Sequence, residues 1–239
     1  TSLPSLKAPF VFSCFNHTIF DMQVMTHELG HAFAGYMAMR SQPISDYYHE
    51  STDIAEIHSM SMEQFAYPYA EWFFGDQADK FRFAHLQEAL TFVPFGVAVD
   101  EFQHICYAHP EMTPKERTYQ WHLLEEKYMP WRKYENDEFM QRGGYWYHKL
   151  HIYLYPFYYI NYTLTTMGAM EFKKKYAEDK AAAWQDYLNL CKSGGSRSYL
   201  ETLRYANLSV PFEAGSVERA CGYAENILLE QLKEQEQKV

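Results

Sequence analysis

The stretch Met25-Thr26-His27-Glu28-Leu29-Gly30-His31-Ala32-Phe33 decides how this chain is read. Apolar residues run through and around it in helical rhythm. Phe20, Val24, Leu29, Ala32, Phe33 and Tyr36 recur mostly at three- and four-residue steps, which predicts a helix. On a helix His27 and His31 stand one turn apart on the same face, so both imidazoles can meet one metal ion. Glu28, one position after the first histidine, can lean over that ion and accept a proton from a water held there. The pattern points to hydrolysis of a peptide bond. Gly30 is out of place in a helix interior, where glycine costs roughly 1 kcal/mol against alanine. A position that another backbone or a ligand must approach closely would accept that cost.

Two histidines do not complete a catalytic metal site, which usually takes three protein ligands and leaves one position open. The next strongly patterned segment runs from Ser51 to Phe65, with Ser51 or Thr52 able to cap a helix. Glu56 lies one turn into it, 25 residues after His31, far enough for the chain to finish one helix, cross a loop and return antiparallel. Glu56 is therefore the first candidate for the third ligand, with His49, Glu50, Asp53 and His58 as nearby competitors. Glu63 shares the helical face of Glu56 and reads either as an exposed acid or as a hydrogen-bond partner that fixes the tautomer of a ligating histidine.

The run His27-Glu28-Leu29-Gly30-His31, followed by Glu56-Ile57-His58-Ser59 and Glu63, resembles the thimet oligopeptidase and oligoendopeptidase F group of zinc metallopeptidases. Ala8 to Ser13, His151 to Tyr162 and Trp184 to Gly195 are similar to the oligoendopeptidase F branch, so the likeness spans nearly the whole chain. The resemblance implies a helical zincin catalytic domain over residues 1–239, with one Zn2+ held by His27, His31 and Glu56 and with Glu28 as general base. It implies oligopeptide substrates. It also implies that the chain is the C-terminal catalytic part of a longer enzyme, whose N-terminal remainder forms the other wall of the cleft.

A second segment, Arg142 to His151, carries the glycine pair Gly143-Gly144, and Pro156 precedes an expected helix. Hydrolysis of a peptide bond develops an oxyanion, which a phenol or imidazole donor can stabilise. His151 is chosen for that task with Tyr158 and Tyr162, which stand four apart on one face of that expected helix, in line with the histidine and tyrosines that the resembled family uses. The tyrosine register stays open, because Tyr153, Tyr155 and Tyr159 compete. Two other readings are kept. A metallocarboxypeptidase on a related helical scaffold would need Arg142 or Lys149 to clamp a terminal carboxylate. A non-catalytic peptide-binding fragment with a structural metal would have no use for Glu28.

Composition bounds the rest. The 239 residues can bury a full core as one large domain or two small ones. The 21 tyrosines suit both core packing and a peptide-holding wall. A net charge of −10 argues against nucleic acid as a partner. No apolar run approaches membrane-spanning length. Cys14, Cys106, Cys191 and Cys221 are widely spaced and read as reduced thiols, hence a cytoplasmic expectation. The fold is expected to be mainly α, with a short N-terminal strand, placed at Pro9 to Phe15, or a small sheet beside the HExxH helix. Helices are expected near 18–39, 52–74, 77–108, 114–128, 157–178, 179–192, 197–206 and 216–236. Pro94 should kink or break the third of these, Gly194-Gly195 should end the sixth, and the polar tail from Leu232 should fray.

Overall fold

Helix formation starts at a carboxylate. The backbone N–H groups of Asn16, His17 and Thr18 donate to Asp21 at 3.1, 2.6 and 3.2 Å, which satisfies orphan donors at the start of the HExxH helix. In the computed structural model, which describes residues 1–236, that helix is α1 (Ile19–Ser41). Before it lie β1 (Ser2–Leu3) and β2 (Ala8–Pro9), an antiparallel pair that packs against α1. After it come α2 (Thr52–Phe65), α3 (Ala70–Phe74), α4 (Ala78–Ala108), α5 (Pro114–Tyr128), α6 (Glu138–Gln141) and α7 (Leu150–Leu154). The last four are α8 (Ile160–Glu178), α9 (Lys180–Ser193), α10 (Tyr199–Tyr205) and α11 (Ser216–Glu236). The fold is mainly α with one small sheet beside the HExxH helix, as the sequence leads one to expect.

The chain forms two compact units. One comprises residues 1–88 with the chain from Leu164 onward; the other comprises Ala89–Thr163. In the first unit α1 packs against α2 and α9, and α10 closes against α9 and α2. Its core joins Ala34, Ile54, Ile57 and Phe65 to Phe172, Tyr187, Leu190 and Leu203. In the second unit Phe95, Val99 and Phe102 of α4 pack against Trp121 and Leu124 of α5, with Trp146 and Tyr159. Each buried side chain of this size contributes about 1.5–3 kcal/mol of transfer free energy. No helix among the described residues is long and apolar enough to cross a membrane.

Several boundaries differ from expectation, each for a physical reason. The strand expected over Pro9–Phe15 is reduced to β2, because the antiparallel pairing with the segment from Thr1 to Leu3 reaches only as far as Phe10, which exchanges hydrogen bonds with Thr1 at 2.8 and 3.0 Å. Phe10, Phe12 and Phe15 are left exposed. The helix expected over 52–74 stops at Phe65, since Pro68 lacks an N–H and disfavours helical geometry in the residue before it; a 3-10 turn over Tyr67–Tyr69 intervenes before α3. Pro94 does not break α4, which is helical from Ala78 to Ala108. One missing hydrogen bond is outweighed by the apolar face that α4 buries in its second half. The helix expected from residue 157 begins at Ile160, because Phe157 holds a positive φ of 59°. Helix α9 ends at Gly194, whose φ is 45°, close to the expected stop. Helix α11 runs through the tail as far as Glu236, and residues 237–239 lie outside the described residues.

Gly30 explains itself here. A Cβ at this position would sit 2.6 Å from Ser59 Cα and 2.8 Å from the His58 carbonyl oxygen. The glycine therefore lets the α1 backbone touch that of α2. Gly30→Ala is expected to lower stability by about 1–3 kcal/mol, the usual cost of overpacking. Chemical denaturation of the two proteins measures it, and an unchanged midpoint would show that the helices separate freely.

Candidate metal centre

Helices α1 and α2 each present one face of the centre. His27 and His31 come from α1, with ring centroids 4.9 Å apart. Glu56 comes from the second turn of α2. Its Oε2 lies 3.1 Å from His27 Nε2 and 3.4 Å from His31 Nε2. One donor atom from each of the three lies within 4.8 Å of the others. The three side chains remain partly accessible, at 27, 30 and 15 % for His27, His31 and Glu56, so the site opens to solvent. Ser59, one turn beyond Glu56, donates its hydroxyl to Glu56 Oε2 at 3.0 Å and aims that carboxylate.

Support comes from behind. Glu63 Oε1 lies 2.7 Å from His27 Nδ1, so an ionised Glu63 accepts a hydrogen bond from Nδ1–H, and in the neutral form of His27 the lone pair then lies on Nε2, on the side of Glu56. Of the competitors for third ligand, His58 is fully buried beside Glu50, with Nδ1 to Oε1 at 3.0 Å, and its own carbonyl accepts from Tyr187 at 3.0 Å. Its imidazole serves the core rather than the centre. His49 is exposed. Glu28 is half-buried on α1, directly after His27.

Electrostatics follow from this packing. Burial alone would lower the His27 pKa, but hydrogen bonds and charges from Glu56 and Glu63 outweigh it and lift it to about 9. Burial would raise the pKa of Glu56 and Glu63, but the facing imidazoles hold both below the ordinary carboxylate range. Two imidazole nitrogens and one carboxylate, converging from two packed helices, are a donor set that suits a borderline cation such as zinc.

In the second unit, the His151 imidazole on α7 sits among tyrosine rings. Its centroid lies 6.1 Å from Tyr158, 6.0 Å from Tyr162, 5.1 Å from Tyr159 and 6.1 Å from Tyr155. Burial and then the Lys149 ammonium lower its pKa. The Tyr158 and Tyr162 hydroxyls are 3.5 Å apart, although Tyr158 precedes α8 instead of sharing its face. The competing rings are engaged differently. Tyr159 is buried in the core and accepts from Lys149 at 3.2 Å, Tyr153 donates to the Tyr147 carbonyl at 3.3 Å, and Tyr155 is exposed.

Sequence reasoning missed His85 on α4, whose Nε2 lies 2.6 Å from Glu63 Oε2. It belongs to no motif and sits 22 residues beyond Glu63, so nothing in the linear pattern marks it.

An HExxH helix packed on a second helix that supplies a facing carboxylate defines a mainly helical protein of the HExxH class. The model of Peptidase family M3 matches residues 3–221, and the chain belongs to that family. An oligoendopeptidase F homolog of Borreliella burgdorferi (strain ATCC 35210 / DSM 4680 / CIP 102532 / B31) is 26% identical over 204 residues, covering 83% of this chain and 34% of its own length. A solved chain provisionally named oligoendopeptidase F is 49% identical with a TM-score of 0.87, covering 95% of this chain. PZ peptidase A, solved with an inhibitor, is 46% identical with a TM-score of 0.88, covering 96% of this chain. The chain spans 40 and 41% of those two solved chains, so it corresponds to well under half of each relative.

A metal held through His27 Nε2 would have to displace a proton, because Glu56 and Glu63 lift the His27 pKa to about 9. Apparent zinc affinity is therefore expected to fall as pH drops, by about tenfold per unit between pH 9 and 7, one proton being released per ion. Chelator competition across that range measures the slope; a flat profile would mean that His27 is already neutral.

Proposed function

We propose that this chain carries the catalytic centre of a zinc-dependent endopeptidase acting on short peptides. The observation that carries the reading is the convergence of His27, His31 and Glu56 within 4.8 Å, with Glu28 next in sequence to a ligating histidine. His27 and His31 would hold the ion through Nε2, and Glu56 through its carboxylate. Zinc bound there supplies a Lewis-acid charge that polarises the scissile carbonyl and lowers the pKa of water.

The remaining work falls to the protein. Glu28 takes the proton of the attacking water on its carboxylate and passes it to the departing amine nitrogen. One carboxylate thus serves as base and then as acid, with no net change in its own charge. Glu63 keeps the His27 Nδ1–H engaged and so preserves the ligating lone pair. His151, with Tyr158 or Tyr162, donates to the developing oxyanion or to a substrate carbonyl. Their clustering around one imidazole supports that role. The N-terminal remainder that the relatives' greater length points to would form the opposite wall of the cleft and restrict entry to oligopeptides. The four cysteines are unpaired among the described residues, in keeping with a cytoplasmic setting.

Glu28→Gln tests the mechanism. Turnover of an internally quenched peptide blocked at both ends should fall by about 10²–10⁴-fold, the range for losing a general base, with zinc content unchanged. The comparison is made with the chain alone and with the N-terminal remainder added. Equal turnover in both proteins would overturn the assignment of Glu28. Cleavage only of peptides with a free C-terminus would replace the endopeptidase with a carboxypeptidase.

A further inference from the structure

A buried file of polar side chains leads away from the metal centre into the first unit. Glu63, His85 and Tyr67 are 7, 7 and 8 % exposed. Burying a carboxylate is costly unless several donors meet it. Glu63 meets this condition through both oxygens, Oε1 to His27 Nδ1 at 2.7 Å and Oε2 to His85 Nε2 at 2.6 Å. The other His85 nitrogen, Nδ1, lies 2.6 Å from the Tyr67 hydroxyl.

The two hydrogen bonds to Glu63 take their direction from the acceptor-only chemistry of an ionised carboxylate. His27 donates from Nδ1 and His85 donates from Nε2. The His85 tautomer with its proton on Nε2 offers a lone pair at Nδ1, to which the Tyr67 hydroxyl can donate. Burial, and then the charge of Glu63, raise the Tyr67 pKa, which keeps the phenol a donor. Tyr67 is itself held. Arg82 donates to its backbone carbonyl at 2.9 and 3.1 Å, and the Lys173 ammonium lies 3.4 Å from its ring centroid. Phe81 stacks on the His85 ring at a 5.5 Å centroid distance and 8° between planes.

We propose that His85 and Tyr67 are positioning residues for the metal centre: they hold the Glu63 carboxylate by its second oxygen, so that Glu63 fixes the ring orientation and tautomer of His27. This rests on the zinc reading above. The terminal torsion of a glutamate is broad, so a carboxylate held at one oxygen alone can rotate. Held at both, it presents Oε1 to a single place, and the Nδ1–H of His27 is pinned there with Nε2 turned to Glu56 and His31. Tyr67 acts one step further out, by selecting the His85 tautomer whose Nε2 carries the proton.

The test is zinc affinity, measured by chelator competition on the 239-residue chain and its variants, with the Co(II) absorption spectrum as a second readout. His85→Leu is expected to weaken zinc binding by about 10–100-fold, the range for outer partners of a metal-ligating histidine, and to alter the Co(II) spectrum. Tyr67→Phe should weaken it less. His85→Gln places an amide N–H at the Nε2 position and should restore affinity to within about threefold of the parent. If His85→Leu does not fold, His85→Asn, too short to reach Glu63, takes its place in the comparison. A role confined to packing would lower thermal stability in these variants while leaving the zinc constant and the Co(II) spectrum unchanged, and that result overturns the proposal. Absence of zinc binding by the parent chain would instead overturn the metal reading itself, and this proposal with it.

Discussion

The candidate metal centre depends on a backbone contact, that between Gly30 of α1 and the His58–Ser59 peptide of α2. Glutamate and histidine side chains are short compared with the 8–10 Å at which helices ordinarily pack. Ligands from two helices meet only if the axes approach closely and in register. Gly30 lies between the two histidines, and the α2 peptide it touches lies between Glu56 and Glu63. The contact therefore fixes both reaches together: Glu56 forward to the two Nε2 atoms, and Glu63 behind to His27 Nδ1.

Around that contact, acids and imidazoles alternate. Glu56 faces His27 and His31, Glu63 lies between His27 and His85, and Glu50 pairs with His58. Without an ion, a proton on His27 balances the facing carboxylates, which is why the His27 pKa is high and those of Glu56 and Glu63 are low. A divalent cation can take over that balance. The site is thus electrostatically prepared for positive charge, and the proton is its competitor.

The parts of this arrangement legible in the sequence were those written in a local period. The HExxH helix showed in its spacing, Glu56 and Glu63 showed as a seven-residue pair on one helical face, and the oddity of Gly30 signalled a close approach. Features set by partners distant in the chain were not legible. The run from Phe10 to Phe15 has strand composition, but its backbone pairing with the segment from Thr1 ends at Phe10, so the rest stays irregular. The turn at Tyr67–Tyr69 that ends α2 could have been read from Pro68, but its consequence, a phenol brought to His85, could not. His85 carries no motif because its role depends only on where α4 passes Glu63. Tyr158 and Tyr162 meet around His151, but through a bend at Phe157 instead of along one helical face.

The core beneath α1 and α2 is built from both ends of the chain. Ile54, Ile57 and Phe65 bury themselves against Phe172, Tyr187, Leu190 and Leu203, more than 100 residues later, while residues 89–163 form a unit of their own. A ribosome makes that intervening stretch at about 5–20 residues per second. The HExxH helix and its partner therefore wait for about 4–15 s with their apolar faces uncovered before α8 begins to emerge, while the intervening unit has all of its own residues to hand and can fold first. Sequence order thus makes the unit that carries His27, His31 and Glu56 the later of the two to be completed, and the one whose apolar faces stay uncovered longer during synthesis.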